Sequence, residues 1–284
     1  MGVLLVAVFV DEAGAKAGVC ALRNLHAEGI LTLYASAVVA RRAKGGGLEI
    51  RTPIAEGEGS SAPAVGAAVG ALVSLLGGPV TAAARTTPSG LLGPVRDLAE
   101  AGLDADFLEQ VSRDLRPGGG AVVAQVDEER QLATDTCLAA MGGRVFRHRL
   151  AGSLVEERLV EEVVALRLDL AGICAEQSDM DHITAARAAL RTRAAELRRA
   201  IGRAQAIAAT LRREGAAKVL VLRAQAARLE GEARNRVEDR AARVRAGMEA
   251  RATRLDRVVE SGARVGPASR RAPASVSGRR NDGH

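Results

Sequence analysis

From Gly59 to Ala84 the chain carries no charged side chain, and within that run Gly66, Gly70, Ser74 and Gly78 recur every fourth residue. On a helix this spacing lines four small side chains along one row, so a second helix can approach nearly backbone to backbone. A small-residue helix is predicted over residues 61–84, broken at Gly77-Gly78-Pro79. Three readings of it stay open: packing against its counterpart in another subunit, entry into lipid, and a tight contact inside its own domain. Its length approaches the roughly 20 residues of a membrane span, but Ala and Gly drive insertion poorly. A returning segment would also carry Arg85, Arg96, Asp97 and Glu100, which are costly in lipid.

The segments on either side of this run look like copies of one another. Val3–Val10 is a Val-rich apolar run that reads as a strand buried on both faces. Asp11 then caps a helix over Glu12–Glu28, with Ala15, Val19, Leu22 and Leu25 at core spacing and Gly29 at its end. Strands follow at Ile30–Ala40 and Leu48–Ile54. Beyond the small-residue run, Asp104 caps a helix reaching Leu115, and Ala121–Val126 reads as a strand. Helix Glu128–Met141 and strand Arg144–Leu150 complete the second half. Val10-Asp11-Glu12 and Val126-Asp127-Glu128 each close a strand and open a helix, and each helix carries a cysteine followed by leucine. Two such βαβ halves predict an α+β, ferredoxin-like domain over residues 1–150, with the glycine-zipper helix 61–84 inserted.

After Gly152 the period becomes helical. Residues 151–177 form an amphipathic helix, with Val155, Leu159, Val163, Leu166 and Leu170 on one face. Residues 178–260 read as a long Arg/Ala-rich coiled coil. Ile183, Leu190, Leu197 and Leu211 recur by sevens with Ile201 in the second stripe, a heptad seam. Past Leu211 the period is eleven, in the pairs Leu211/Gly215, Leu222/Ala226, Ala233/Val237, Val244/Met248 and Leu255/Val259, so the seam there should run straight or slightly right-handed. Residues 261–284 read as a disordered basic tail. One long helix and a folded-back hairpin broken near Gly215 are both compatible with this pattern.

Charge is placed unevenly. Residues 1–182 hold 16 Lys/Arg against 24 Asp/Glu, a net of −8, while residues 183–260 hold 19 against 9, a net of +10. An acidic front and a basic back have different partners or bind each other. Anionic membrane surface and nucleic acid are therefore readings for the Arg-rich helix, beside the plain reading of a solvated exterior with Glu/Arg pairs. Trp is absent, with one Tyr and three Phe, which argues against base-stacking platforms. The three cysteines, Cys20, Cys137 and Cys174, lack ligand or CxxC spacing and read as buried small hydrophobes in a reducing compartment. The four histidines are scattered, the triple-glycine runs lack a phosphate-loop context, and Asp104 and Asp106 are explained by helix capping. No catalytic set, cofactor site or small-molecule substrate is inferred.

Several stretches together resemble a known family. They are the Val-rich strand ending in Asp11-Glu12, the zipper Gly66–Gly78, the run Ala101-Gly102-Leu103-Asp104-Ala105-Asp106-Phe107, Leu115-Arg116-Pro117-Gly118, and Gly142-Gly143-Arg144-Val145-Phe146. Residues 1–150 are similar to the bacterial and archaeal family catalogued as domain of unknown function 1269. The resemblance implies a zipper-bearing domain often described as membrane-associated, to which some relatives add a charged coiled coil. The expectation is a non-enzymatic homo-oligomer, cytoplasmic or on the inner face of the membrane, that self-associates through the zipper and the coiled coil. A zipper in lipid with arginines on anionic head groups is the alternative, and nucleic-acid binding a third reading.

Overall fold

A computed structural model describes residues 2–44, 47–56, 63–76, 103–150, 152–176 and 183–263. The elements in order are β1 (Val3–Phe9), α1 (Glu12–Ala27), β2 (Leu31–Arg41), β3 (Leu48–Glu56) and α2 (Pro63–Leu75). Then come α3 (Ala105–Asp114), β4 (Gly120–Glu128), α4 (Gln131–Ala140), β5 (Arg144–Arg149), α5 (Gly152–Glu176), α6 (Ile183–Ala226) and α7 (Gly231–Ala263).

The five strands form one sheet in the order β3-β2-β4-β1-β5, and every neighbouring pair is antiparallel. Each βαβ unit is therefore split by a strand of the other, β4 between β1 and β2, and β1 between β4 and β5. Local signals behave as their chemistry dictates. The Asp11 carboxylate accepts from the Gly14 N–H at 2.7 Å, and Asp104 accepts from the Asp106 N–H at 3.1 Å. Gly29 and Gly142 follow α1 and α4 with φ of +72° and +77°, a conformation in which a side chain would be strained.

The central strands are apolar on both sides, so both faces of the sheet need a cover. Leu5, Ala7 and Phe9 pack with Val122, Ala124 and Val126 under α1 and α4. On the opposite face Leu4, Val6 and Val8 pack with Ala37, Val39 and Val123 under α2 and α3. The small-residue helix thus lies on its own sheet. Val65, Ala68, Val69, Leu72 and Val73 belong to that core, and Gly66 and Gly70 are buried. Of the predicted row, the side chain of Ser74 and all of Gly78 lie outside the described residues, as does the predicted helix beyond Leu76. Among the described residues no helix is long and apolar enough to cross a membrane.

Three sequence expectations need correction. Asp127 does not open a helix: β4 continues through Glu128, with Thr32 opposite Asp127 and Leu31 opposite Glu128, and α4 starts only at Gln131. Here pairing with β2 outcompetes the local capping signal. Cys20 is exposed rather than buried, and Cys137 is half-buried. The predicted basic tail from residue 261 also starts too early, because α7 runs to Ala263 and Gly262 is buried against Ile201. Residues 264–284 lie outside the description.

The packing of α2 carries a test. Gly70 is buried, so leucine there forces extra volume into a packed position, and Gly70→Leu should cost about 1–3 kcal/mol. Urea unfolding of the variant should show a lower midpoint, and an unchanged midpoint would mean that α2 does not pack as described.

Candidate functional site

The C-terminal helices form a bundle that docks on the sheet. The α6 and α7 helices run antiparallel, since a side chain on Gly215 would meet Met248 and one on Gly262 would meet Ile201. The turn is at Ala227–Glu230, closed by Gly231 with φ +55°. The chain therefore folds back there, not near Gly215, and the eleven-residue pattern belongs to two arms rather than one helix. The α5 helix lies antiparallel to α6: Glu162 meets Arg203 at 2.5 Å, and Asp169 meets Arg193 at 3.6 Å.

Most of the predicted seam is used inside this bundle. Leu197, Leu211, Met248 and Leu255 are buried with Leu159, Val163, Leu166 and Leu170 of α5, and Leu190, Ile201 and Val244 are half-buried against them. Leu222 and Val237 leave that core and pack on Tyr34 of β2. The side chain of Ile183 lies outside the described residues. Glu156, only 3% exposed, holds the Arg251 guanidinium at 3.1 Å and so joins α5 to α7. Of the Glu/Arg pairs that helical spacing suggests, Glu232–Arg236 is present at 3.8 Å, while Glu196 takes Arg193 at 2.8 Å rather than Arg199.

Where the hairpin meets the sheet, the contact is polar and buried. Thr32 and Tyr34 share the sheet face that carries Ala35, Ala37 and Val39, because an irregularity between Leu33 and Ala35 inserts Tyr34 without a partner. Gln125 and Asp127 continue the same face of β4 at period two and are likewise buried. The α2 and α3 helices cover the apolar part of this face, and the hairpin covers its polar end. The Thr32 hydroxyl donates to Gln225 Oε1 at 2.7 Å and accepts from Arg240 Nη1 at 2.7 Å. Gln225 Nε2 donates to the carbonyls of Leu31 and His26 at 2.8 and 2.6 Å. Arg240, 2% exposed, also reaches the Ile30 carbonyl at 3.4 Å and lies 3.9 Å from the Glu129 carboxylate, which Arg243 engages too. A buried guanidinium is tolerated because these acceptors replace its lost water.

Beside this network the Lys218 ammonium sits over the Tyr34 ring, 5.7 Å from its centroid. Burial pushes the Lys218 ammonium down and the Tyr34 phenol up. His26 Nδ1 accepts from the Leu33 N–H at 3.2 Å. Burial, together with the Arg228 and Arg240 charges, holds its imidazole below the usual 6.5.

The sequence reading missed Thr32, Tyr34, Gln225 and Arg240 as a set. The available signal was the period-two polar pairs Thr32/Tyr34 and Gln125/Asp127 at the ends of otherwise apolar strands. Nothing in the sequence separates Arg240 from the surrounding exposed arginines. His148 stacks on Phe107 at 5.2 Å, while His182, Asp179 and Asp181 lie outside the described residues. Among the described residues no three His, Cys, Asp or Glu side chains come together as a metal-binding group.

Two open grooves mark the bundle surface. One of about 950 Å³ lies between α5 and α6 and is crossed by the Glu162–Arg203 and Asp169–Arg193 pairs. The other, about 370 Å³, lies between α6 and α7 near the turn. The chain matches no family model, no curated protein and no solved structure.

Removing the buried guanidinium takes the donor away from the Thr32 hydroxyl and the Ile30 carbonyl, so Arg240→Ala should lose about 2–4 kcal/mol of stability. Calorimetry checks the loss, and proteolysis at Ala227–Glu230 should quicken. The His26 contribution has a definite sign. A folded-state imidazole held below its unfolded value takes up its proton less readily than the unfolded chain. Stability is therefore full above pH 6.5 and declines as pH falls through it. His26→Gln should flatten that part of the pH–stability curve.

Proposed function

We propose that this chain is a non-enzymatic, self-associating interaction protein whose contacts lie on the outside of its helical bundle. The α/β unit is read as ferredoxin-like, supported by the split-βαβ strand order β2-β4-β1-β5 with β3 added at the edge. Membership of the unknown-function family is part of the same proposal and rests on the five sequence stretches that resemble it.

One observation carries the interaction reading. The inner face of α5 is filled by its own bundle, yet its outer face still presents Val164 and Leu168, 44% and 68% exposed. Apolar side chains in one outer stripe mark a contact surface more often than scattered single ones do. Gly66 and Gly70 are buried and most of the described seam packs within the chain, which supports a contact elsewhere. Such a protein would need no cofactor.

The measurement is the mass of the full chain by light scattering over a range of concentration and salt. The expected result is a mass above 29.4 kDa at low salt that Gly70→Leu does not reduce, once its folding has been checked. A mass of one chain under every condition would end the self-association reading.

A second reading has its own observation. Arg187, Arg191 and Arg198 are exposed on α6, which favours contact with an anionic membrane surface. It requires pelleting with anionic vesicles that high salt reverses.

A further inference from the structure

We propose that the outer stripe of α5 in one copy enters the α6–α7 groove of a second copy, giving head-to-tail assembly. This rests on the self-association reading and names its two surfaces.

The receiving groove has an apolar, small-residue floor at Leu222, Ala226 and Ala241. Its rim is basic: Arg223, Arg234 and Arg245 stand around a single carboxylate, Glu238, which Arg234 already holds at 2.7 Å. Arg223 and Arg245 have no ion pair among the described residues. The alanines matter because only a shallow side-chain layer lets an approaching helix reach the floor.

The entering stripe has the opposite character. Glu157, Glu161, Val164 and Leu168 follow at i, i+4, i+7 and i+11 and share one helix face. All four are exposed, and neither Glu157 nor Glu161 has an ion partner among the described residues. The dimensions agree. Glu157 to Leu168 and Arg234 to Arg245 are each eleven residues, about 17 Å along a helix. Two carboxylates would meet the rim arginines, while Val164 and Leu168 would cover the alanine floor. The unequal charge of the two chain segments, −8 over residues 1–182 and +10 over 183–260, finds here a local use.

The contact cannot form within one copy. The α5 helix already packs on another side of the hairpin, where Arg251 takes Glu156 and Gly262 faces Val163. Arg251 and Arg245 lie roughly 120° apart around the α7 axis, so the groove opens away from α5. Because the two surfaces differ, the association is heterologous, and an open assembly keeps one free groove at one end and one free stripe at the other. A single helix in a short groove is a small interface, so binding should be weak and salt-sensitive.

The test is a charge swap on the full-length chain, read by sedimentation equilibrium at low salt. Glu157→Arg with Glu161→Arg should weaken association at least about 100-fold, as should Arg223→Glu with Arg245→Glu, by placing like charges opposite each other. All four changes in one chain should restore it. Every altered side chain is exposed, and circular dichroism melting confirms that each variant is folded. If the wild type associates and either folded double variant associates equally well, this interface is wrong while self-association stands. The interface is equally wrong if the folded fourfold variant stays dissociated. If the wild type is a single chain throughout, both this interface and the reading beneath it fall.

Discussion

Strand β1 and the first half of β4 are apolar along both faces, and that condition organises the rest of the molecule. A strand of this kind is stable only where both sides are kept from water. Covering one face is straightforward, since α1 and α4 are the crossover helices of the two split βαβ units and fall on the same side. The opposite face has no crossover helix, and the small-residue segment with α3 fills that role. Alanine, valine and glycine suit α2 to it, because short side chains let a helix lie close to a flat apolar surface. The described part of a segment that resembles an oligomer or membrane motif is here an internal layer.

The cover from α2 and α3 does not extend over the whole face. Toward the far end the strands change character, and Thr32, Tyr34, Gln125 and Asp127 replace Val and Ala. A polar patch of this kind would be at home in water, yet it is buried under the α6–α7 hairpin. For Thr32 burial is sustainable because Gln225 accepts its proton and Arg240 donates to its oxygen. Leu222 and Val237 add apolar contact beside Tyr34. The hairpin is thus anchored by geometry-sensitive hydrogen bonds rather than by area alone. That anchoring fixes the turn of the bundle against the domain and determines which flank of the hairpin stays open.

Much of the local structure was readable in advance. The strand β1, the caps at Asp11 and Asp104, the glycine ends of α1 and α4 and the amphipathic face of α5 follow from rules acting over a few residues. The failures occur where a distant segment decided the outcome. Asp127 has the local look of a cap, but pairing with Thr32 draws it into the ladder. Leu222 and Val237 belong to an eleven-residue repeat, yet the chain turns between them and both pack against Tyr34. The buried polar network was invisible for the same reason: Thr32 and Arg240 are 208 residues apart and neither stands out among its neighbours.

By itself the sequence determined where helices and strands form, which faces are apolar, and that an acidic front precedes a basic back. Periodicity and capping are encoded in neighbouring residues, so they survive without knowledge of the fold. Only the tertiary structure decided what those faces meet. An apolar or small-residue stripe specifies that it must be covered but does not name its cover. The small-residue helix found its own sheet through Val65, Ala68, Val69, Leu72 and Val73, and most of the heptad seam found α5 and the returning arm of its own hairpin. The outer stripe of α5 stayed exposed among the described residues.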